Sequence, residues 1–148
     1  MRIRRAIPAD IPALIALERR AATAAHWSAA QYETALSGRI PVRLVLIVEE
    51  ETNVQGFIAG RVVSDEWEIE NVAVAASAQR RGLGTCLIGA LLDLARVQGA
   101  QAVFLEVRES NVAARRLYEK WAFIETGRRE RYYREPEEDA IVYRLVFC

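Results

Sequence analysis

Residues 71 to 118 read NVAVAASAQRRGLGTCLIGALLDLARVQGAQAVFLEVRESNVAARRLY, and the interpretation of this stretch decides the fold. An apolar strand over Trp67 to Ala75 leads through a short polar loop into Arg80-Arg81-Gly82-Leu83-Gly84. That turn opens a helix whose first backbone N–H groups lack intrahelical partners and are free to hold phosphate. Leu83, Leu87, Leu91, Leu94 and Ala95 then recur at helical spacing, and Gln98-Gly99 supplies a stop. Ala102 to Val107 reads as a buried strand, and Ser110 or Asn111 as the cap of a further helix to about Trp121.

Toward the N-terminus, Arg2 to Ala6 reads as a strand, and Pro8-Ala9-Asp10 as a turn in which Asp10 caps a helix presenting Ile11, Leu14, Ile15 and Leu17 on one face. Ser28 to Gln31 fits a capping box, predicting a second helix to about Leu36. Arg43 to Glu49 and Gln55 to Val63 are β-branched-rich runs joined by Glu-Glu-Glu-Thr-Asn, a polar connection without a tight Asn-Gly signal. Phe123 to Arg131 and Ala140 to Phe147 form a last strand pair. The predicted order is β-α-α-β-β-β-α-β-α-β-β. A strand-helix-strand unit among antiparallel pairs implies an α/β fold with a mixed sheet and helices on both faces.

The chain has 148 residues, 52% hydrophobic, which fits a single domain over 1–148 with one core. Basic and acidic residues both total 20, so no global field points to nucleic acid or an anionic membrane. Cys86 and Cys148 make neither a disulfide framework nor a metal-ligand spacing, and a reducing cytoplasm is the expected compartment. No apolar run of about 18 residues and no signal-peptide h-region occur, so neither export nor membrane insertion is expected.

Gly82 and Gly84 by themselves need do no more than tighten a loop into a helix. A dinucleotide fingerprint fits poorly, because Ala75 to Arg81 separates strand from turn and Leu87 stands where the third glycine belongs. A phosphate loop of the Gly-Lys-Ser/Thr type is absent. Gln79-Arg80-Arg81-Gly82-Leu83-Gly84, however, resembles the pyrophosphate loop of the GNAT superfamily of N-acetyltransferases, and Asn71-Val72-Ala73-Val74 resembles the strand before it. Asn111 and Leu117-Tyr118 extend the match. Within the superfamily, Trp27-Ser28, Leu105-Glu106-Val107-Arg108, Ser110-Asn111, Leu117-Tyr118-Glu119, Tyr132-Tyr133 and Asp139-Ala140-Ile141 are most similar to the RimI-type ribosomal-protein alanine acetyltransferases. Trp121-Ala122-Phe123 replaces the Leu-Gly-Phe usual there.

The resemblance implies a GNAT-type fold and acetyl-CoA as cosubstrate, without a metal. Val72, Ala73 and Val74 would bind the acetyl and pantetheine arm through their backbone. Arg80, Arg81, Gly82, Leu83, Gly84 and Thr85 would wrap the pyrophosphate, and Asn111 would contact the cofactor from the other side. Glu106 would accept the amine proton and Tyr118 protonate the leaving thiolate, with Glu68 and Glu70 as rival bases. The implied acceptor is the α-amine of a protein N-terminus, in RimI-like enzymes a ribosomal protein. A small-molecule or lysine N-acetyltransferase shares the cofactor half, and a non-catalytic acetyl-CoA-binding module is the reading from another class. His26, the sole histidine, is expected in the substrate groove rather than in catalysis. The acidic run Glu135 to Asp139 is either a solvated turn or an attractor for a basic peptide tail.

Overall fold

The computed structural model describes residues 1–20, 27–79 and 81–148; His26 and Arg80 lie outside the described residues. Its elements are β1 (Arg2–Arg5), α1 (Ile11–Arg20), α2 (Ala29–Leu36), β2 (Arg43–Glu50), β3 (Asn53–Val63), β4 (Glu66–Val74), α3 (Leu83–Val97), β5 (Ala102–Arg108), α4 (Val112–Lys120), β6 (Ile124–Tyr133) and β7 (Glu138–Val146). The strands join in one sheet in the order β1-β2-β3-β4-β5-β7-β6. Only the β4–β5 pairing among them is parallel, as expected for a strand-helix-strand crossover through α3. The fold is the expected mixed α/β arrangement.

Each face of the sheet carries its own apolar layer. On one, Leu87, Ile88, Leu91 and Ala95 of α3 pack on Ile58, Ile69, Val103 and Leu105, with Tyr118 and Phe123 beside them. Gly60 permits the close approach of α3, since a Cβ there would stand 2.9 Å from Leu91 Cδ1. On the other face, Ile11 and Leu14 of α1 and Tyr32 and Ala35 of α2 cover Val45, Ile47, Phe57 and Ala73.

Three details differ from the sequence-based expectation. Asp10 does not cap α1 directly: Pro8–Asp10 form a 3-10 turn leading into the helix, and the Asp10 carboxylate accepts from the Ile7 N–H at 2.8 Å and from Arg4 at 2.9 Å. The β2–β3 connection is tight, because Glu50 pairs with Asn53 and only Glu51 and Thr52 remain in the turn. Both adopt left-handed φ, 50° and 70°, as a twist-matched two-residue hairpin requires, without the glycine that signals it in sequence. Third, the face expected from Ile11, Leu14, Ile15 and Leu17 also takes in Glu18, which is buried to 1% exposure four residues after Leu14, while Ile15 and Leu17 are only partly buried.

α2 begins as expected: the Ser28 hydroxyl accepts from the Gln31 N–H at 3.2 Å, and the Gln31 side chain accepts from the Ser28 N–H at 2.7 Å.

Candidate active site

β4 and β5 run side by side only from Glu66–Ala102 to Ile69–Leu105. Beyond that point they part, and a cleft opens between Ile69–Val74 on one side and Leu105–Val107 on the other, roofed by Gly84, Asn111, Ala114, Leu117 and Tyr118. A bulge in β4 accompanies the parting: Ile69 pairs with Gly60 and Asn71 with Ala59, leaving Glu70 as the extra residue. The bulge reverses the side-chain alternation. Trp67 and Ile69 face the α3 layer, whereas Asn71 and Ala73 turn toward α1 and Val72 and Val74 toward α3.

The same alternation sorts the backbone. Ala75 N–H donates to Gln55 C=O at 2.7 Å, so the hydrogen-bonded pairs with β3 fall at Ala75, Ala73 and Asn71. The N–H and C=O groups of Val72 and Val74 therefore point into the cleft, where an extended arm can pair with them as an added strand. Ala73 turns its backbone to Phe57 and its side chain into the α1 layer. Gln79 Nε2 reaches the Val74 C=O at 3.3 Å.

At the end of the cleft, Gly82 holds φ +78° at the start of α3, a left-handed conformation natural to glycine. The first helical hydrogen bond is Cys86 N–H to Gly82 C=O at 3.0 Å. The N–H groups of Leu83, Gly84 and Thr85 thus have no helical acceptor, and with the helix dipole they form an anion cradle. Arg81 is paired with Glu50 at 2.6 Å beside it. Asn111, which lines the cleft, uses its Oδ1 to cap α4, accepting from the Ala114 N–H at 3.2 Å, and its amide NH2 is then the group it can offer as a donor.

Glu106 and Tyr118 line this one cleft from opposite faces of the sheet. On β5, Val103, Leu105 and Val107 belong to the α3 layer, so Glu106 projects to the α1 face. Tyr118, on α4, is 7% exposed within the α3 layer and packs edge-on against Phe123 at 5.6 Å between ring centroids. Burial pushes its ionisation up, so the hydroxyl carries its proton at neutral pH. The Glu106 side chain, 13% exposed, is engaged by Arg129 Nε at 2.9 Å from β6. The Tyr132 hydroxyl faces the same carboxylate, whose contact raises its ionisation, with burial adding to the effect.

Glu68 is paired with Arg61 at 2.5 Å and Glu70 with Arg43 at 2.8 Å. Burial pushes the Glu68 carboxyl up; Arg61 opposes the shift, and the like charges of Glu70 and Glu106 add to it. A second hollow of about 500 Å³ on the α1 face is bounded by Trp27, Ala30, Gln31, Thr34, Arg43 and Glu70. The Arg43 guanidinium lies 5.7 Å from the Trp27 ring centroid. In the acidic loop, Glu138 binds Arg108 at 3.2 Å, Asp139 binds Arg128 at 2.8 Å, and Glu137 faces Arg131 at 3.7 Å. Of the two readings of this run, a solvated turn and an attractor for a basic tail, these pairs favour the first. The carboxylates that line the cleft are Glu70 and Glu106.

The profile of the Acetyltransferase (GNAT) family matches residues 11–123. The chain belongs to that family. It is 38% identical over 139 residues to the [Ribosomal protein bS18]-alanine N-acetyltransferase of Salmonella typhimurium, covering 92% of this chain and 90% of the relative. The crystal structure of the ribosomal-protein-S18-alanine N-acetyltransferase from Escherichia coli superposes with a TM-score of 0.85 at 33% identity, covering 98% of this chain and 92% of that one. The protein yncA of Salmonella typhimurium, whose structure carries acetyl-CoA, shares the fold at 22% identity with a TM-score of 0.84, covering 99% and 93%. The acetyltransferase described here uses acetyl-CoA as its acyl donor, and the free β4 edge and the bare start of α3 are groups suited to the pantetheine arm and the pyrophosphate.

Two features of the site escaped the sequence. Arg129 sits in an exposed, arginine-rich strand that gives no periodic signal, and only the β6–β7 register brings it over Glu106. Glu18, whose Oε2 accepts from Asn71 Nδ2 at 3.1 Å, was detectable in principle, since it falls at i+4 from Leu14 and i+7 from Ile11.

Proposed function

We propose that this acetyltransferase modifies the N-terminal α-amine of a protein by direct transfer, without an acetyl-enzyme. The observation that carries the reading is the placement of Glu106 and Tyr118 on opposite faces of one cleft. The acceptor approaches from the α1 face, where Glu106 takes the ammonium proton. The thioester lies along Val72 and Val74, whose backbone N–H groups polarise its carbonyl, and Tyr118 protonates the departing thiolate from the α3 face. Leu83, Gly84 and Thr85 hold the pyrophosphate, with Arg81 and Asn111 at its flanks. The nitrogen gains the acetyl carbon and the C–S bond breaks; of the two protons the ammonium loses, the first passes through Glu106 to solvent, and the second, shed as the amide forms, is matched by the one Tyr118 gives to sulfur.

The α-amine suits a carboxylate base. With a pKa near 7.7 to 8.0 it is neutral in roughly one molecule in ten at pH 7, whereas a lysine amine near 10.4 is neutral in well under one in a thousand. The relatives' names point to a ribosomal protein beginning with alanine as acceptor, and hence to a cytoplasmic site of action. The test supplies acetyl-CoA with two peptides, one beginning Ala-Arg with a free α-amine, the other N-blocked with an internal lysine. CoA release and a mass gain of one acetyl group in place of one amine hydrogen, both confined to the free α-amine, are expected. Modification of lysine alone overturns the acceptor class.

A further inference from the structure

The geometry points to Arg129 as a resident stand-in for the acceptor's ammonium, holding Glu106 between turnovers and setting the affinity for the incoming amine. The inference rests on the assignment of Glu106 as base. Arg129 Nε is 2.9 Å from Glu106 Oε1, the separation a bound ammonium would take. Its side chain is 60% exposed, so the contact lies at the open mouth of the groove rather than in the core.

The arginine belongs to an edge strand whose pairing with β7 is interrupted on both sides, between Glu125 and Gly127 and between Arg129 and Tyr133. Its guanidinium rests 5.5 Å from the Tyr132 ring centroid, a contact that keeps it near the groove when the carboxylate lets go. The other charged pairs around the groove lie deeper: the Arg43 and Arg61 side chains that hold Glu70 and Glu68 are 19% and 35% exposed. Arg129 is therefore the cation an acceptor displaces with least disturbance. After transfer the product amide carries no charge, and the guanidinium returns to a carboxylate that no longer has a cationic guest.

An ion pair whose cation is 60% exposed is weak, so the competition is modest. Apparent acceptor affinity falls by the fraction of time Glu106 is free, which for such a pair is a factor of about two to five. Steady-state transfer to the Ala-Arg peptide is measured for wild type, R129Q, R129K, E106Q and the double variant R129Q/E106Q. R129Q should lower KM for the peptide about two- to fivefold, with a smaller change in kcat, and R129K should restore the wild-type KM. In the E106Q background the Arg129 substitution should no longer move KM. An unchanged KM in R129Q, or a KM shift that persists without the Glu106 charge, overturns the inference while leaving the base assignment standing. Wild-type turnover by E106Q removes the base and this inference with it.

Discussion

Replacing Tyr118 by phenylalanine takes a single hydroxyl from the cleft and leaves the ring packing in place. The ring keeps its edge contact with Phe123 at 5.6 Å and its tilted contact with Tyr143 at 6.5 Å. No hydrogen bond joins the hydroxyl to another described residue, and burial is the main cause of its raised ionisation. Removing it leaves no partner stranded, so folding stability should stay within about 0.5 kcal/mol of wild type. Turnover should respond quite differently. A positioned proton donor contributes about 10²- to 10⁴-fold, or about 3 to 5 kcal/mol of barrier. The assay is CoA release at saturating acetyl-CoA and peptide, beside a thermal melt and a direct acetyl-CoA binding measurement. A large fall in kcat with unchanged melting temperature and unchanged cofactor affinity is expected. Turnover within twofold of wild type (roughly 0.4 kcal/mol) refutes the donor assignment, since the effect would be too small for general acid catalysis. Because the Tyr118 ionisation is shifted upward, the wild-type enzyme should show no loss of this proton below the ordinary tyrosine range near pH 10.

Glu106→Gln should lower turnover by about 10²-fold or more while acetyl-CoA binding, followed by calorimetry, stays near wild type. Ala122 ends α4 at φ 70°, with Ala122 N–H bonded to Glu119 C=O and Phe123 N–H to Tyr118 C=O, the pairing in which glycine usually sits at the left-handed position. Ala122→Gly relieves about 1 to 2 kcal/mol of steric cost against about 0.5 to 1 of added chain entropy, so the melting temperature should rise by a few degrees, about 2 °C for a net 0.5 to 1 kcal/mol. Asp10→Asn should cost about 1 to 2 kcal/mol at pH 7 by weakening the contact with Arg4. The Arg4 guanidinium holds the Asp10 carboxyl below its ordinary value. Its contribution is therefore complete above the unfolded pKa near 3.9 and lost as pH falls through the lower folded one. The gap between wild type and variant in denaturant titrations should close only below about pH 4.

The turn into α3, the helix itself and the start of α4 were legible because their signals are local: a glycine that must be left-handed, an apolar stripe starting at Leu83, and an asparagine placed to cap α4. The acceptor half depends on register, which single residues do not encode. The bulge that sets Glu70 apart, the crossing of Arg129 onto Glu106 and the neutralisation of Glu138 and Asp139 by Arg108 and Arg128 all join residues distant in sequence. Glu51-Thr52 shows the same limit at short range, since a two-residue turn forms there because the flanking strands demand it, without the dipeptide that would announce it.

The sheet that parts between β4 and β5 acts as a partition with a single slot. On the proposed mechanism the donor would be handled by α3, α4 and the β4 edge, and the acceptor by α1, α2 and the β6–β7 hairpin, the two meeting at the cleft between the sheet's two apolar layers. Changes on the acceptor side would then leave the donor's path intact, so one half of this scaffold would be free to acquire a new amine while the other kept delivering the same acetyl group.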